Sequence, residues 1–104
     1  MVKASQFVRQ IRRQGFDLYV GVPCSFLKPL INYAIDDPKL EYVAANNEGE
    51  AVAYALGAWL AGRRAVVMFQ NSGLGNTINP LSSLAIPFQV PLLLVTTWRG
   101  EPGL

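Results

Sequence analysis

The chain has 104 residues, of which 51% are hydrophobic and 15% charged, and a formal net charge of +2. That length holds one small domain and excludes a second, and the balance is too apolar for disorder and rich for a small monomer, so a partner or further chain is expected to cover part of the surface. The positive balance comes mostly from Lys3, Arg9, Arg12 and Arg13 near the start, and aromatic and basic residues do not interleave along a strand or groove, so it reads as a solvated helix face and not as a nucleic-acid surface.

In chain order, Ser5 stands where it would cap a first helix that carries Phe7, Val8 and Ile11 on one face, with Gly15 as its stop. Asp17 to Val20 reads as a short apolar strand, and Gly21-Val22-Pro23-Cys24-Ser25 as the turn after it, because proline restricts itself and the residue before it. Ser25 is the expected cap of a second helix with Leu27, Leu30, Ile31, Ala34 and Ile35 at helical spacing, Pro29 in its first turns, and Asp36-Asp37-Pro38 as its break. Leu40 to Ala44 is a second strand. A third helix runs from Asn47 to Ala61 and stops at Gly62. Ala65 to Phe69, unbroken in its hydrophobic character, is a third strand buried on both faces. Gln70 to Asn79 is a polar, glycine-containing loop that leads into a helix near Leu81 to Ala85. Pro91 to Thr96 is a fourth strand, and Trp98 to Leu104 an irregular tail.

Strands that alternate with helices imply right-handed crossovers and a three-layer α/β arrangement, a parallel sheet of about four strands with helices on both faces. In such sheets ligands bind beyond the carboxyl ends of the strands. Gly21–Ser25, Ala45–Glu48, Gln70–Asn76 and Thr97–Glu101 are all expected at that edge, and together they hold most of the unusual polar chemistry in the chain.

Which groups can do chemistry there is constrained by composition. There is no histidine and only one cysteine, Cys24. Ser–His and Cys–His catalysis, a His/Cys zinc site and an intrachain disulfide are therefore excluded, and no protein metal ligand set is expected. The lone thiol also points to a reducing, cytoplasmic setting. No apolar signal core is present, and the longest apolar runs are too short to cross a bilayer, so no membrane role is expected. What remains is a carboxylate, backbone groups, or an organic cofactor. Glu48 lies four residues before Val52, on the stripe formed with Ala55, Leu56, Trp59 and Leu60, and so is expected to turn inward. Glu50 lies about 200° around the helix, facing solvent, and has an ordinary task as the third helical position of a box-like cap on Asn47. The bland alternative for Glu48 is a carboxylate resting on the helix dipole or paired with an arginine.

Glu48-Gly-Glu-Ala-Val-Ala-Tyr-Ala-Leu-Gly57, followed by Gln70-Asn-Ser-Gly-Leu-Gly-Asn76 and Asn79-Pro80-Leu81, resembles the pyrimidine-binding domain of thiamin diphosphate-dependent 2-oxo acid decarboxylases. Gly21-Val-Pro-Cys-Ser-Phe26 and Trp98-Arg-Gly-Glu-Pro-Gly103 extend the resemblance over nearly the whole chain, and the wording is most similar to the branch whose substrates carry a phosphonate or sulfonate. The resemblance implies the thiamin diphosphate-binding fold, here truncated at about four strands, with residues 1–104 as part of one such domain. It implies that Glu48 hydrogen-bonds a ring nitrogen of the aminopyrimidine, favouring the imino tautomer that activates the cofactor for attack on a 2-oxo carbon. Pro23 and the Ser72-Gly73-Leu74-Gly75-Asn76 loop would contact the cofactor, the glycines letting backbone approach closely. Ser25, Cys24 and Arg99 would face the substrate. A plain turn or a phosphate cradle remains open for the loop, a helix cap for Ser25, a packed thiol for Cys24 and an ordinary exposed cation for Arg99.

The sequence lacks the Gly-Asp-Gly and downstream Asn pattern by which that family holds the diphosphate and Mg2+. A diphosphate-binding domain on the same or another chain would supply them, in a homo- or hetero-oligomer that takes a small 2-oxo acid. Another thiamin diphosphate reaction, such as carboligation with the same activation by Glu48, is the alternative within enzymes, and a non-catalytic interaction module and a nucleotide-binding module are the competing classes.

Overall fold

A computed structural model describes residues 2–100 and 102. The basic segment forms α1 (Ala4–Arg12), which buries Val8 and Ile11 and leaves Arg9 and Arg12 outside. Ser5 does not cap it. The N–H groups of Gln6 and Phe7 already bond to the Lys3 carbonyl, each at 3.1 Å, so Lys3 is the cap and Ser5 lies inside the first turn. Gly15, at φ +90°, turns the chain into β1 (Phe16–Gly21).

Ser25 is not a cap either. It opens a 3-10 turn, Ser25–Leu27, that runs straight into α2 (Lys28–Asp36), where Leu27 takes the cap position without a side-chain bond. Pro29 sits in the first turn, where its missing N–H leaves no intrahelical bond unmade. The helix ends at Asp36, and the Lys39 N–H bonds to Asp37 Oδ1 at 2.9 Å to turn the chain into β2 (Glu41–Ala44). Next come α3 (Glu48–Leu60) and β3 (Arg64–Gln70). The segment read as a loop is instead wound as a 3-10 helix, Asn71–Thr77, closed by the Thr77 hydroxyl donating to the Leu74 carbonyl at 2.7 Å. A short α4 (Ile78–Pro80) and a π turn (Leu81–Ala85) follow, then β4 (Leu93–Thr97).

The four strands are all parallel, in the order β2-β1-β3-β4. Side chains alternate across the strands with period two. Tyr19, Val66 and Met68 pack with Val8, Ile11, Leu27 and Ala34 of the α1–α2 layer. Val20, Val67 and Phe69 pack with Val52, Ala55 and Leu56 of α3 and with Ala85. Ala65 to Phe69 are each 5% exposed or less, so the third strand is buried on both faces as its composition implies. The apolar excess is on the outside: Leu60, Ile78, Ile86, Phe88 and Trp98 are each at least 65% exposed.

This order places a switch point. From β1 the chain steps one way to β2 through α2, then returns across β1 to β3 through α3. Right-handed crossovers put those two helices on opposite faces. The connections leaving β1 and β3 thus diverge and open a crevice beyond their carboxyl ends, where open α/β sheets take their ligands.

Candidate functional site

Four segments meet at that edge: residues 22–25 after β1, residues 45–47 leading into α3, the 3-10 segment after β3, and residues 98–100 after β4, which Arg99 ties to Asn71. The α3 start is built by its asparagines. Asn47 Oδ1 accepts the Glu50 N–H at 2.9 Å, a side-chain cap on one of the helix's unpaired donors. The Glu50 carboxylate reaches back to Asn46, accepting its backbone N–H at 3.3 Å and its side-chain amide at 3.2 Å. The box therefore closes on the residue before the cap, and this hold leaves Glu50 half-buried instead of fully turned to water.

Glu48 is half-buried too, but is held by the other element. Its Oε1 accepts from Asn76 Nδ2 at 2.7 Å. The rest of the side chain lies on Gly73, so closely that a Cβ there would stand 2.5 Å from Oε2 and overlap Cγ and Cδ. The helix start overhangs the sheet edge, so Glu48 shares a face with Val52 yet turns toward the 3-10 segment and not into the core beneath. Gly49 completes the contact, since a Cβ there would come 2.9 Å from the Asn76 carbonyl oxygen. Two glycines, one on each element, thus allow helix and segment to touch.

The other sequence-marked residues surround this contact without hydrogen-bonding to it. Ser72 is exposed, and its hydroxyl accepts from Gln70 Nε2 at 2.6 Å. Leu74 is 47% exposed, and Gly75 has open space where a side chain would stand. Pro23 and Ser25 are exposed at the neighbouring strand end. Cys24 is half-buried, one side resting on the α1–α2 core. Arg99 is exposed, and among the described residues its contacts run through the backbone. Asn71 accepts the Arg99 N–H and donates to its carbonyl, both at 3.1 Å. Glu101, Gly103 and Leu104, in the tail motif, lie outside the described residues.

Asn46, Gly49 and Asn71 were not singled out from the sequence. Gly49 carried a usable signal, because glycine in a helix's first turn works against helix formation and so marks a close approach. Asn71 carried none, since its partner is 28 residues away.

Electrostatics add a second feature on the α1–α2 side. The Tyr19 and Tyr42 hydroxyls and Thr97 Oγ1, at the end of β4, are buried with no hydrogen-bond partner among the described residues. Burial, aided by the charge of Asp37, pushes Tyr19 up to about 12, and burial raises Tyr42 as well. The Tyr42 ring roofs Gly21 at the end of β1, 3.1 Å from where a Cβ would be. Among the described residues, no group of three or more His, Cys, Asp or Glu side chains could hold a metal ion, and no helix is long and apolar enough to cross a membrane. A cleft of about 460 Å³ lined by Phe16, Trp59, Arg64 and Leu93 lies at the opposite, amino-terminal edge, so size alone does not mark the site.

Residues 1–104 match the family model described as thiamine pyrophosphate enzyme, N-terminal TPP binding domain. The chain is 48% identical over 103 residues to the phosphonopyruvate decarboxylase of Streptomyces viridochromogenes, an alignment covering 99% of this chain and 26% of that protein. It is 46% identical to the phosphonopyruvate decarboxylase of Streptomyces hygroscopicus, with the same coverage of 99% and 26%. To the sulfopyruvate decarboxylase subunit alpha of Methanococcus maripaludis it is 37% identical, covering 96% of this chain and 60% of the subunit. The chain thus spans about a quarter of the length of the phosphonopyruvate decarboxylases it matches.

Proposed function

The chain belongs to the N-terminal TPP-binding domain family of thiamine pyrophosphate enzymes, and we propose that it is the pyrimidine-binding part of a decarboxylase converting phosphonopyruvate to phosphonoacetaldehyde and CO2. The observation that supports this most is the placement of Glu48: a carboxylate held by Asn76 against Gly73, at the carboxyl edge beside the switch point.

The residues present fit an aminopyrimidine. Glu48 has one oxygen engaged by an amide and acceptor capacity left for a ring N–H. Leu74 offers an apolar contact and Gly75 open space for a flat ring. Thiamin diphosphate, when bound, supplies the electron sink that a 2-oxo acid needs in order to lose CO2. The chain's own part is to bind and orient. Glu48 holds or releases a proton at its free carboxylate oxygen, opposite the ring nitrogen. Pro23 and the backbone of Ser72 to Asn76 shape the wall around the ring. Ser25 and Cys24 line the substrate side from the adjacent strand, and the Arg99 guanidinium, always charged and forked, pairs with the phosphonate.

In this reading residues 1–104 are part of a pyrimidine-binding domain. The diphosphate and Mg2+ fall to a diphosphate-binding domain of the same or another chain in a cytoplasmic homo- or hetero-oligomer, and this chain is inactive without it. Sulfopyruvate is the second substrate reading, favoured by the 37% identity to the sulfopyruvate decarboxylase alpha subunit, because one arginine serves either anion.

The test is Glu48→Gln in the assembled enzyme, with thiamin diphosphate and Mg2+, assayed on phosphonopyruvate, sulfopyruvate and pyruvate. Loss of a positioned acid–base group lowers turnover by about 10²–10⁴-fold, and that loss is expected on every substrate. A fully active variant refutes the assignment of Glu48. Wild-type turnover of sulfopyruvate alone refutes the substrate.

A further inference from the structure

We infer that Asn76 is the positioning residue of this site, acting on the Glu48 carboxylate and not on the bound ring. The inference rests on the reading of Glu48 above and adds what keeps that side chain in place. Glu48 begins a helix, and its own neighbours give it no partner: Asn47 is committed to the Glu50 N–H, and Asn46 to the Glu50 carboxylate. Left alone, a glutamate on an exposed first turn samples several rotamers and settles toward the helix N-terminus or water.

Two contacts from the 3-10 segment remove that freedom. Gly73 lies directly against Cγ, Cδ and Oε2, limiting one side. Asn76 donates its amide to Oε1 at 2.7 Å, fixing the other. Only Nδ2 can face an ionised carboxylate, so the orientation of the amide is settled by charge.

Asn76 is itself well placed to act as a fixed post. Its carbonyl is wedged on Gly49, where no Cβ would fit. The next residue, Thr77, is 1% exposed and is tied to the Leu74 carbonyl at 2.7 Å. The donor sits on a short side chain with two torsions, on a backbone held on both sides, while the acceptor sits on a longer side chain with three. The direction of control follows: Asn76 sets Glu48. One oxygen is occupied and the outward lone pairs are presented to the ring.

The experiment is a mutant cycle in the assembled enzyme, with Asn76→Ala, Asn76→Asp, Glu48→Gln, Glu48→Ala and the Glu48→Ala/Asn76→Ala double variant; Glu48→Ala is the cycle partner because glutamine would keep the oxygen that accepts from Asn76. Thiamin diphosphate affinity is measured by titration of the cofactor-free protein, alongside kcat, KM, the pH–rate profile and the melting temperature. For Asn76→Ala the expected result is about a tenfold fall in cofactor affinity and in kcat, the lower end of what a hydrogen bond to a charged group contributes because this one is exposed. KM for the 2-oxo acid and the melting temperature stay near wild type. Asn76→Asp loses more at neutral pH, where it places two carboxylates together, and regains activity as the pH falls and the aspartate becomes a protonated donor. A purely structural role would not give that pH dependence.

In the double variant the Asn76→Ala step leaves cofactor affinity unchanged, because its effect passes through Glu48. Wild-type affinity and kcat in Asn76→Ala, or a full additional loss on top of Glu48→Ala, overturn the inference. The outcomes separate the two ideas. An active Glu48→Gln enzyme defeats the proposed function, whereas an inactive Glu48→Gln with a normal Asn76→Ala defeats only the role of Asn76.

Discussion

Replacing Gly73 with alanine adds one methyl group and separates folding from function at this site. Gly73 is buried in the 3-10 segment and is not among the glycines with positive φ, which are Gly15, Gly62 and Gly100, so alanine is compatible with its backbone. The added Cβ would stand 2.5 Å from Glu48 Oε2 and overlap the carbons behind it. What must yield is a flexible side chain from its Cγ outward, so Glu48 turns about χ1 and swings away while the backbone stays. For stability, alanine restricts the unfolded chain and contributes about 0.4–1 kcal/mol. The lost Asn76 bond costs about 1 kcal/mol, and an off-rotamer glutamate about 0.5–1.5 kcal/mol. The net change is about 1 kcal/mol, roughly 4–8 °C in melting temperature for a domain of this size. Catalysis is far more sensitive, because relief of the overlap moves the carboxylate by roughly 1 Å, a displacement that costs about 100-fold in rate. Gly73→Ala should therefore melt within several degrees of wild type while the assembled thiamine pyrophosphate enzyme loses about two orders of magnitude in kcat/KM. Full activity would show that Glu48 need not occupy the position seen here. Wholesale unfolding would show that the contact with Gly73 is structural and that the side chain cannot yield.

Tyr19→Phe deletes a fully buried hydroxyl with no partner among the described residues and should raise stability by about 1 kcal/mol. It should also flatten the alkaline limb. Because the folded-state value lies above the ordinary 10.0, the stabilising contribution is complete below pH 10.0 and is lost as pH rises toward about 12. That loss is about 2–3 kcal/mol at ~1.4 kcal/mol per unit. Urea denaturation of both proteins between neutral pH and pH 12 checks it, and parallel alkaline limbs would contradict the assignment. Asn47→Ala removes the α3 cap and should cost about 1 kcal/mol, seen as a lower urea midpoint at unchanged slope. Thiamin diphosphate affinity of the assembled enzyme should fall with it, since Glu48 starts the same helix turn.

The strands were legible to within two residues, the widest difference being at the start of the fourth, read from Pro91 and beginning at Leu93. Asp17 to Val20 became Phe16–Gly21, and the hydrophobic run Ala65 to Phe69 became the buried centre of Arg64–Gln70. Their alternation with helices was enough for the three-layer parallel arrangement, because few topologies bury such strands on both faces. Two serines misled. Ser5 and Ser25 are good cap types, but a helix begins where its first N–H groups find carbonyls, and Lys3 and the 3-10 turn after Cys24 took those positions. The 71–77 segment looked like loop because glycine and asparagine disfavour an isolated helix. It winds as a 3-10 helix where it rests on α3 through Gly73 and Gly49.

By itself, the order of residues determined the alternation of strands and helices, the lack of any imidazole, and the face of α3 on which Glu48 lies. These are local properties, set by side-chain type and by the periods of strand and helix. Tertiary structure alone decided that β1 and β3 are neighbours with a switch point between them, and that Asn76, 28 residues from Glu48, donates to it. Whether an amide and a carboxylate meet across that separation depends on how two helical segments pack at a sheet edge. No local pattern carries that information, and here it depends on the absence of a Cβ at Gly49 and Gly73.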